Sequence, residues 1–247
     1  MDNTPLIGYV YVGADRDDPM SAAVVGAQIG SGVDQPPYIV VDHTLERTLL
    51  TRWPGRLWRV QVLQSASDQP LAYARYTRAT AVQVLEALPL SCLFEHQGDA
   101  VVDFLNGIRL LTPAQKMALA EAQDPTAHQL YNRVFDRWLT RMNPESQHLG
   151  QDHHGVIAMG GLNPRSPVGN ASSVLYDELR KRACELEGAA ALVLDEDGDE
   201  CLHPQWHAAA DTLQNALYGI AAPDALLSPE ERTVLLRAYR AVVGEDG

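Results

Sequence analysis

Basic charge is what this chain is short of. Its 247 residues carry 32 acidic side chains against 19 basic ones, a formal net charge of −13. A binder of duplex DNA or RNA needs cationic surface to displace condensed counterions, and a polybasic membrane anchor has the same requirement. Neither duplex nucleic acid nor membrane is therefore expected as a partner. The acid surplus serves solubility, or it presents an acidic face to a basic protein partner in the manner of an inhibitor or immunity protein. Cysteine is scarce too: Cys92, Cys184 and Cys201 are odd in number and lack CxxC spacing. Reduced thiols buried as small hydrophobes fit that pattern better than a disulfide framework. No apolar run reaches bilayer-spanning length, and the first residues lack the basic and apolar segments of a secretory leader. A soluble, cytoplasmic protein is expected.

Complete catalytic motifs are missing as well. The sequence has no GxxxxGK[ST], HExxH, GxSxG or SxxK. Val24–Gly32 (VVGAQIGSG) spaces its glycines as some dinucleotide-binding loops do. That chemistry needs a helix N-terminus directly after the glycines to hold a pyrophosphate. Pro36, Pro37 and the strand-like YIVV follow instead, leaving no room for the helix. The acidic run Asp195–Glu200 fails the calcium-loop register, since its sixth residue is Glu200 and its twelfth is Trp206 rather than Gly and Glu.

What is present is a change of period along the chain. Leu6–Val12 and Tyr38–Val41 are short, apolar and β-branched, and Leu57–Leu63 puts Trp58, Val60 and Val62 on one face; all three read as strands. Thr44–Arg52 is a short helix candidate. From about Leu71 the apolar positions Tyr76, Ala79, Val82, Leu85 and Leu88 fall three apart, which predicts an amphipathic helix ending at Pro89. Val101–Leu111 predicts another. Thr112-Pro113-Ala114-Gln115 and Ser228-Pro229-Glu230-Glu231 are capping boxes with proline at the first helical position. Asp124-Pro125 opens a helix whose stripe is Leu130, Tyr131, Val134, Phe135, Trp138, Leu139 and Met142. Ser173–Glu187 continues as helix up to Gly188, and Ala189–Leu194 fits either a late strand or a buried helical turn. Pro204 opens a helix with Trp206, Ala210, Leu213, Leu217 and Ile220 on one face, and the Ser228 capping box leads into Val234, Leu235, Ala238, Tyr239 and Val242.

The fold class is α+β: a small N-terminal sheet of three or four strands packed with a predominantly helical C-terminal two-thirds. One compact domain spanning 1–247 is expected, with a soft boundary near 143–170 between 1–142 and 171–247.

Chemistry-bearing residues are few. The Gly-, Pro- and His-rich stretch Asn143–Asn170 holds Asp152, His153 and His154, candidates for metal binding or proton transfer. Neighbouring residues on extended chain point to opposite sides, so the two imidazoles do not readily share one ion. No metal or other cofactor is assigned. Cys92 precedes His96 by four residues, but Pro89, Leu90, Leu93 and Phe94 around it predict a buried, inert thiol. Tyr73, Arg75, Tyr76 and Arg78, with His43 and Glu46 upstream, could form a site for a small anionic ligand. Three functions follow. The first is a non-catalytic binding or regulatory protein, acidic and of the inhibitor or immunity kind. The second is a hydrolase or transferase using Asp152, His153 and His154, with Arg75, Tyr76 and Arg78 on an anionic substrate. The third is a helical oligomerisation module docking through the Trp138 face.

Overall fold

β-Branched residues at alternate positions build the N-terminal sheet, as their stiff side chains pack well on a pleated surface. The computed structural model describes residues 5–13, 18–30, 33–70, 75–142 and 167–244. By its contacts the chain divides into two compact units, Met1–Gly98 with Arg165–Asn170 and Asp99–Pro164 with Ala171–Gly247. Among the described residues, the first carries an antiparallel sheet and the second most of the six helices, an α+β architecture.

The sheet strands are β1 (Ile7–Gly13), β2 (Gln28–Ile29), β3 (Ile39–Asp42), β4 (Gly55–Ser65) and β5 (Tyr76–Leu88). β1 pairs with β3 and β4, while β5 pairs with β2, β3 and β4. The ladder β1–β3–β5–β4–β1 therefore closes on itself, so these four strands leave few unpaired edges. Val10, Val12, Ile39, Val41, Trp58, Val60, Ala79, Val82 and Val84 fill its interior with Met20 and Ala23. Each fully buried valine there contributes roughly 1.5–3 kcal/mol relative to an exposed one. Thr44–Arg52 does not form a regular helix: only Leu45–Arg47 makes a 3-10 turn, and Thr48 is already extended.

β5 corrects the helix expected to end at Pro89. Its 13 residues would overrun so small a sheet if straight. Opposite β4, the register steps from Arg59↔Glu86 to Val60↔Val84 and from Gln64↔Ala81 to Ser65↔Ala79. Leu85 and Thr80 are thus extra residues, bulges that bend the strand and reverse its inward phase. Ala79 and Val82 both face the core although three apart, and Val84 resumes the alternation. The spacing of three came from bulges, not from a helical turn.

The helices are α1 (Gly98–Ile108), α2 (Pro113–Glu121), α3 (Pro125–Met142), α4 (Pro167–Glu187), α5 (Pro204–Ala221) and α6 (Pro229–Val243). Both expected capping boxes form: Thr112 Oγ1 accepts from Gln115 N–H and Ser228 Oγ from Glu231 N–H, and each third side chain reaches back to its cap. α5 is buried nearly all round, and its run of Ala209, Ala210 and Ala216 lets neighbouring helices approach closely. α2, α3 and α6 all pack on it. Of the α3 stripe, Leu130, Tyr131, Val134 and Trp138 are buried within this unit. Tyr131 meets Tyr218 edge-on at 4.8 Å between centroids. Those residues of the α3 face therefore serve the core of this unit.

Ala189–Leu194 proves to be both of its readings in succession. A 3-10 turn covers Gly188–Ala191, and β6 (Leu192–Leu194) then forms a hairpin with β7 (Glu200–Leu202). The acidic run is the tip of this hairpin. Asp195 Oδ1 accepts from the N–H groups of Asp197 and Asp199 at 3.0 and 2.9 Å, and Gly198 takes the left-handed position at φ 86°. The cysteines depart from expectation, since Cys92 is exposed and Cys184 and Cys201 are half-buried. Cys92 sits on the 3-10 turn Leu90–Gln97, which buries Leu93 and Phe94 but turns the thiol outward. Among the described residues, no helix is long and apolar enough to cross a membrane.

Candidate functional site

Asp152, His153 and His154 lie outside the described residues. Of the anion-site candidates, Tyr76 and Arg78 share one side of β5 by strand alternation, and Arg75 precedes the strand. Arg78 Nη1 is paired with Asp68 Oδ2 at 2.5 Å, and Gln69 brackets the Arg78 backbone. Arg75 instead lies by His43. The His43 N–H donates to the Arg75 carbonyl at 3.1 Å, and His43 Nε2 is hydrogen-bonded with Thr77 Oγ1 at 2.9 Å. Partial desolvation, then the Arg75 guanidinium, push the His43 pKa below its ordinary 6.5, so the ring is neutral at pH 7. Arg75 itself holds φ 61°, a left-handed conformation that a side chain disfavours. Arg75→Gly is therefore expected to raise the stability of this unit by roughly 0.5–1 kcal/mol, read from the urea midpoint. A loss of stability would instead show that the guanidinium contributes more than the strain costs.

A better-formed site lies in the helical unit. Gln123, Asp124, Pro125 and His128 face Asp211, Thr212 and Asn215 of α5 across a cleft of about 240 Å³. Asp124 forms the lip. Its Oδ1 caps α3 through the N–H groups of Thr126 and Ala127, and its Oδ2 pairs with Arg237. The Arg237 hydrogen bond, then the two amides, hold this carboxyl below its ordinary 3.8. Thr212 donates its hydroxyl to Leu119 O at 3.0 Å. Both groups are therefore occupied by structural duties.

Asp211 and Asn215 are engaged only in part. Asp211 Oδ2 accepts from Gln123 Nε2 at 3.1 Å and stands 3.6 Å from His207 Nδ1. Its negative field extends to Tyr176, whose pKa is raised first by burial and then by this carboxylate. Asn215, one helical turn on, is only 5% exposed. Its Oδ1 has no hydrogen-bond partner among the described residues. An orphaned buried amide costs about 1–3 kcal/mol, whereas an apolar side chain of the same size costs nothing of the kind. Electrostatically the cleft is rich in acceptors, and Asp211 leads them. Among the described residues, no group of three or more His, Cys, Asp or Glu side chains is placed to hold a metal ion.

Sequence reasoning missed this cleft. The available signal was polar residues on a buried helix: Thr212 and Asn215 interrupt the same α5 surface that carries Ala209, Leu213 and Ala216. His128 gave none, because a histidine on the polar face of α3 reads as surface. Compared with protein-family models, curated proteins and solved structures, the chain has no significant match.

Proposed function

We propose that this is a non-catalytic binding protein of the regulatory kind, acidic and cytoplasmic, whose helical unit recognises a basic protein partner. One observation carries the reading: the acid is concentrated. Residues 171–247 hold 15 acidic side chains against 6 basic ones. Glu196, Asp197 and Asp199 stand exposed at the tip of a hairpin that projects them together. Such a field accelerates encounter with a cationic surface and repels acidic competitors. The decisive trial is affinity capture from a cell extract across a salt series, beside Glu196→Gln/Asp197→Asn/Asp199→Asn. Asp195 is left intact because it holds the turn. A specific partner should be retained near 0.05 M salt and released by about 0.5 M, where screening shortens to a few ångströms. The triple variant should already fail at low salt. Capture that ignores both salt and the tip charges would refute acidic recognition.

A second reading, a hydrolase or transferase, is favoured by one observation, that His128 and Asp211 line the same cleft. An imidazole and a carboxylate at one opening are suited to general acid–base work. Under it, His128→Ala would abolish turnover while leaving the fold intact.

A further inference from the structure

The α5 wall of the cleft puts two acceptors one turn apart, and neither is used up by the fold. Among the described residues, Asp211 receives one hydrogen bond, from Gln123 on Oδ2, and Asn215 Oδ1 receives none. Asn215 Oδ1 is itself buried, and a half-turn about the last Asn torsion, a broad one, would exchange it with the amide nitrogen and turn the carbonyl toward the cleft that Asn215 lines. Asp124 beside it is already neutralised by Arg237 and caps α3, so Asp211 is the carboxylate left for a ligand. An anionic ligand would meet the Asp211 carboxylate here and is disfavoured. A group carrying both positive charge and several N–H donors is favoured, because it supplies what Asp211 and Asn215 lack.

We propose that this cleft binds a primary ammonium group, with Asp211 taking the charge and the Asn215 carbonyl accepting a second N–H. At about 240 Å³ the opening admits an ammonium head and a short alkyl stem rather than a drug-sized molecule. Such a head belongs equally to a free small amine and to the lysine side chain of a partner. The inference stands on the cleft alone, so it survives the loss of the acidic-partner reading and can fail without it.

The test uses the whole protein in 0.15 M salt, with binding followed by isothermal titration calorimetry in the native protein and every variant alike. Four probes are titrated: n-butylammonium, a capped Gly-Gly-Lys-Gly-Gly peptide, its norleucine counterpart, and tetramethylammonium. The last has the charge but no N–H donor, so it controls for general attraction to an acidic protein. Saturable binding of butylammonium, of the lysine peptide, or of both is expected, with at least tenfold weaker binding of the two controls. Butylammonium alone marks a free-amine site, and the peptide alone marks a docking site for a partner's lysine. Asp211→Asn and Asn215→Leu should each weaken the binding probe at least tenfold. Asn215→Leu should also melt roughly 2–4 °C higher, since it removes an unpaired buried amide. Three results would overturn the proposal: no saturation by either amine, tetramethylammonium binding as well as they do, or both variants binding like the native protein. If Asn215→Leu fails to fold, the isosteric Asp211→Asn decides the matter.

Discussion

Glu187→Ala is expected to lower the stability of the helical unit by about 2–4 kcal/mol, measured by chemical denaturation at 25 °C. Lys116 is 4% exposed, and its Nζ bonds Glu187 Oε1 and Gln205 Oε1, each at 3.1 Å. The ammonium also lies 5.3 Å from the centre of the Trp206 ring. Glu187 Oε2 in turn accepts from Trp206 Nε1 at 3.0 Å, and that indole is fully buried. Removing the carboxylate therefore leaves a buried cation and a buried indole N–H short of partners together, and uncompensated burial is the costly event. Because Glu187 retains partial exposure, the loss falls below that of a sealed pair. Lys116→Met combined with Glu187→Gln should recover most of the stability, since no charge is then buried and the amide oxygen still meets the indole. A single-variant loss below about 0.5 kcal/mol would mean that water reaches Lys116 freely.

The same carboxylate sets an acid limit. The Trp206 hydrogen bond, followed by Lys116, lowers the Glu187 pKa below its ordinary 4.5. A group depressed on folding contributes stability above its unfolded pKa and loses it as pH falls through the folded value. The native protein should therefore lose stability below about pH 4.5 more steeply than Glu187→Gln does. Parallel acid curves would assign that limit to other carboxylates.

Gly30→Ala is expected to cost the sheet unit about 3 kcal/mol or more, whereas Gly26→Ala should cost only about 1 kcal/mol. Both glycines flank β2 with positive φ, 109° and 87°. They differ in surroundings. A Cβ on Gly30 would lie 2.1 Å from the Thr80 carbonyl oxygen on the bulge of β5, and that oxygen belongs to backbone and cannot swing away. A Cβ on Gly26 would meet nothing within 4 Å, so it pays for conformation alone. Equal losses in the two variants, compared by urea midpoints, would show that the β2–β5 contact yields. The glycine spacing that resembles a nucleotide loop is thus explained by a short irregular strand pressed on a bulged one.

Local chemistry was legible wherever a few neighbouring residues decide the outcome. Thr112 with Gln115 and Ser228 with Glu231 close their caps within one turn, so their geometry depends on nothing distant. The α3 stripe and the inward Trp58–Val60 face of β4 were readable for the same reason, because one period ran without interruption. Amino-acid order by itself also determined the α+β class and the concentration of acid. Tertiary structure alone decided three things. Bulges at Thr80 and Leu85 made a 13-residue strand look helical, and they exist because β5 must bend to reach β2, β3 and β4. The burial of Lys116 required Glu187 and Trp206, 71 and 90 residues further along the chain, to converge on it. The cleft required the turn before α3 to meet the middle of α5, and only that meeting gave Asp211 and Asn215 an opening to face. Hydrogen bonds within one turn are written in the residues that make them; desolvation is written only in what the folded chain brings alongside.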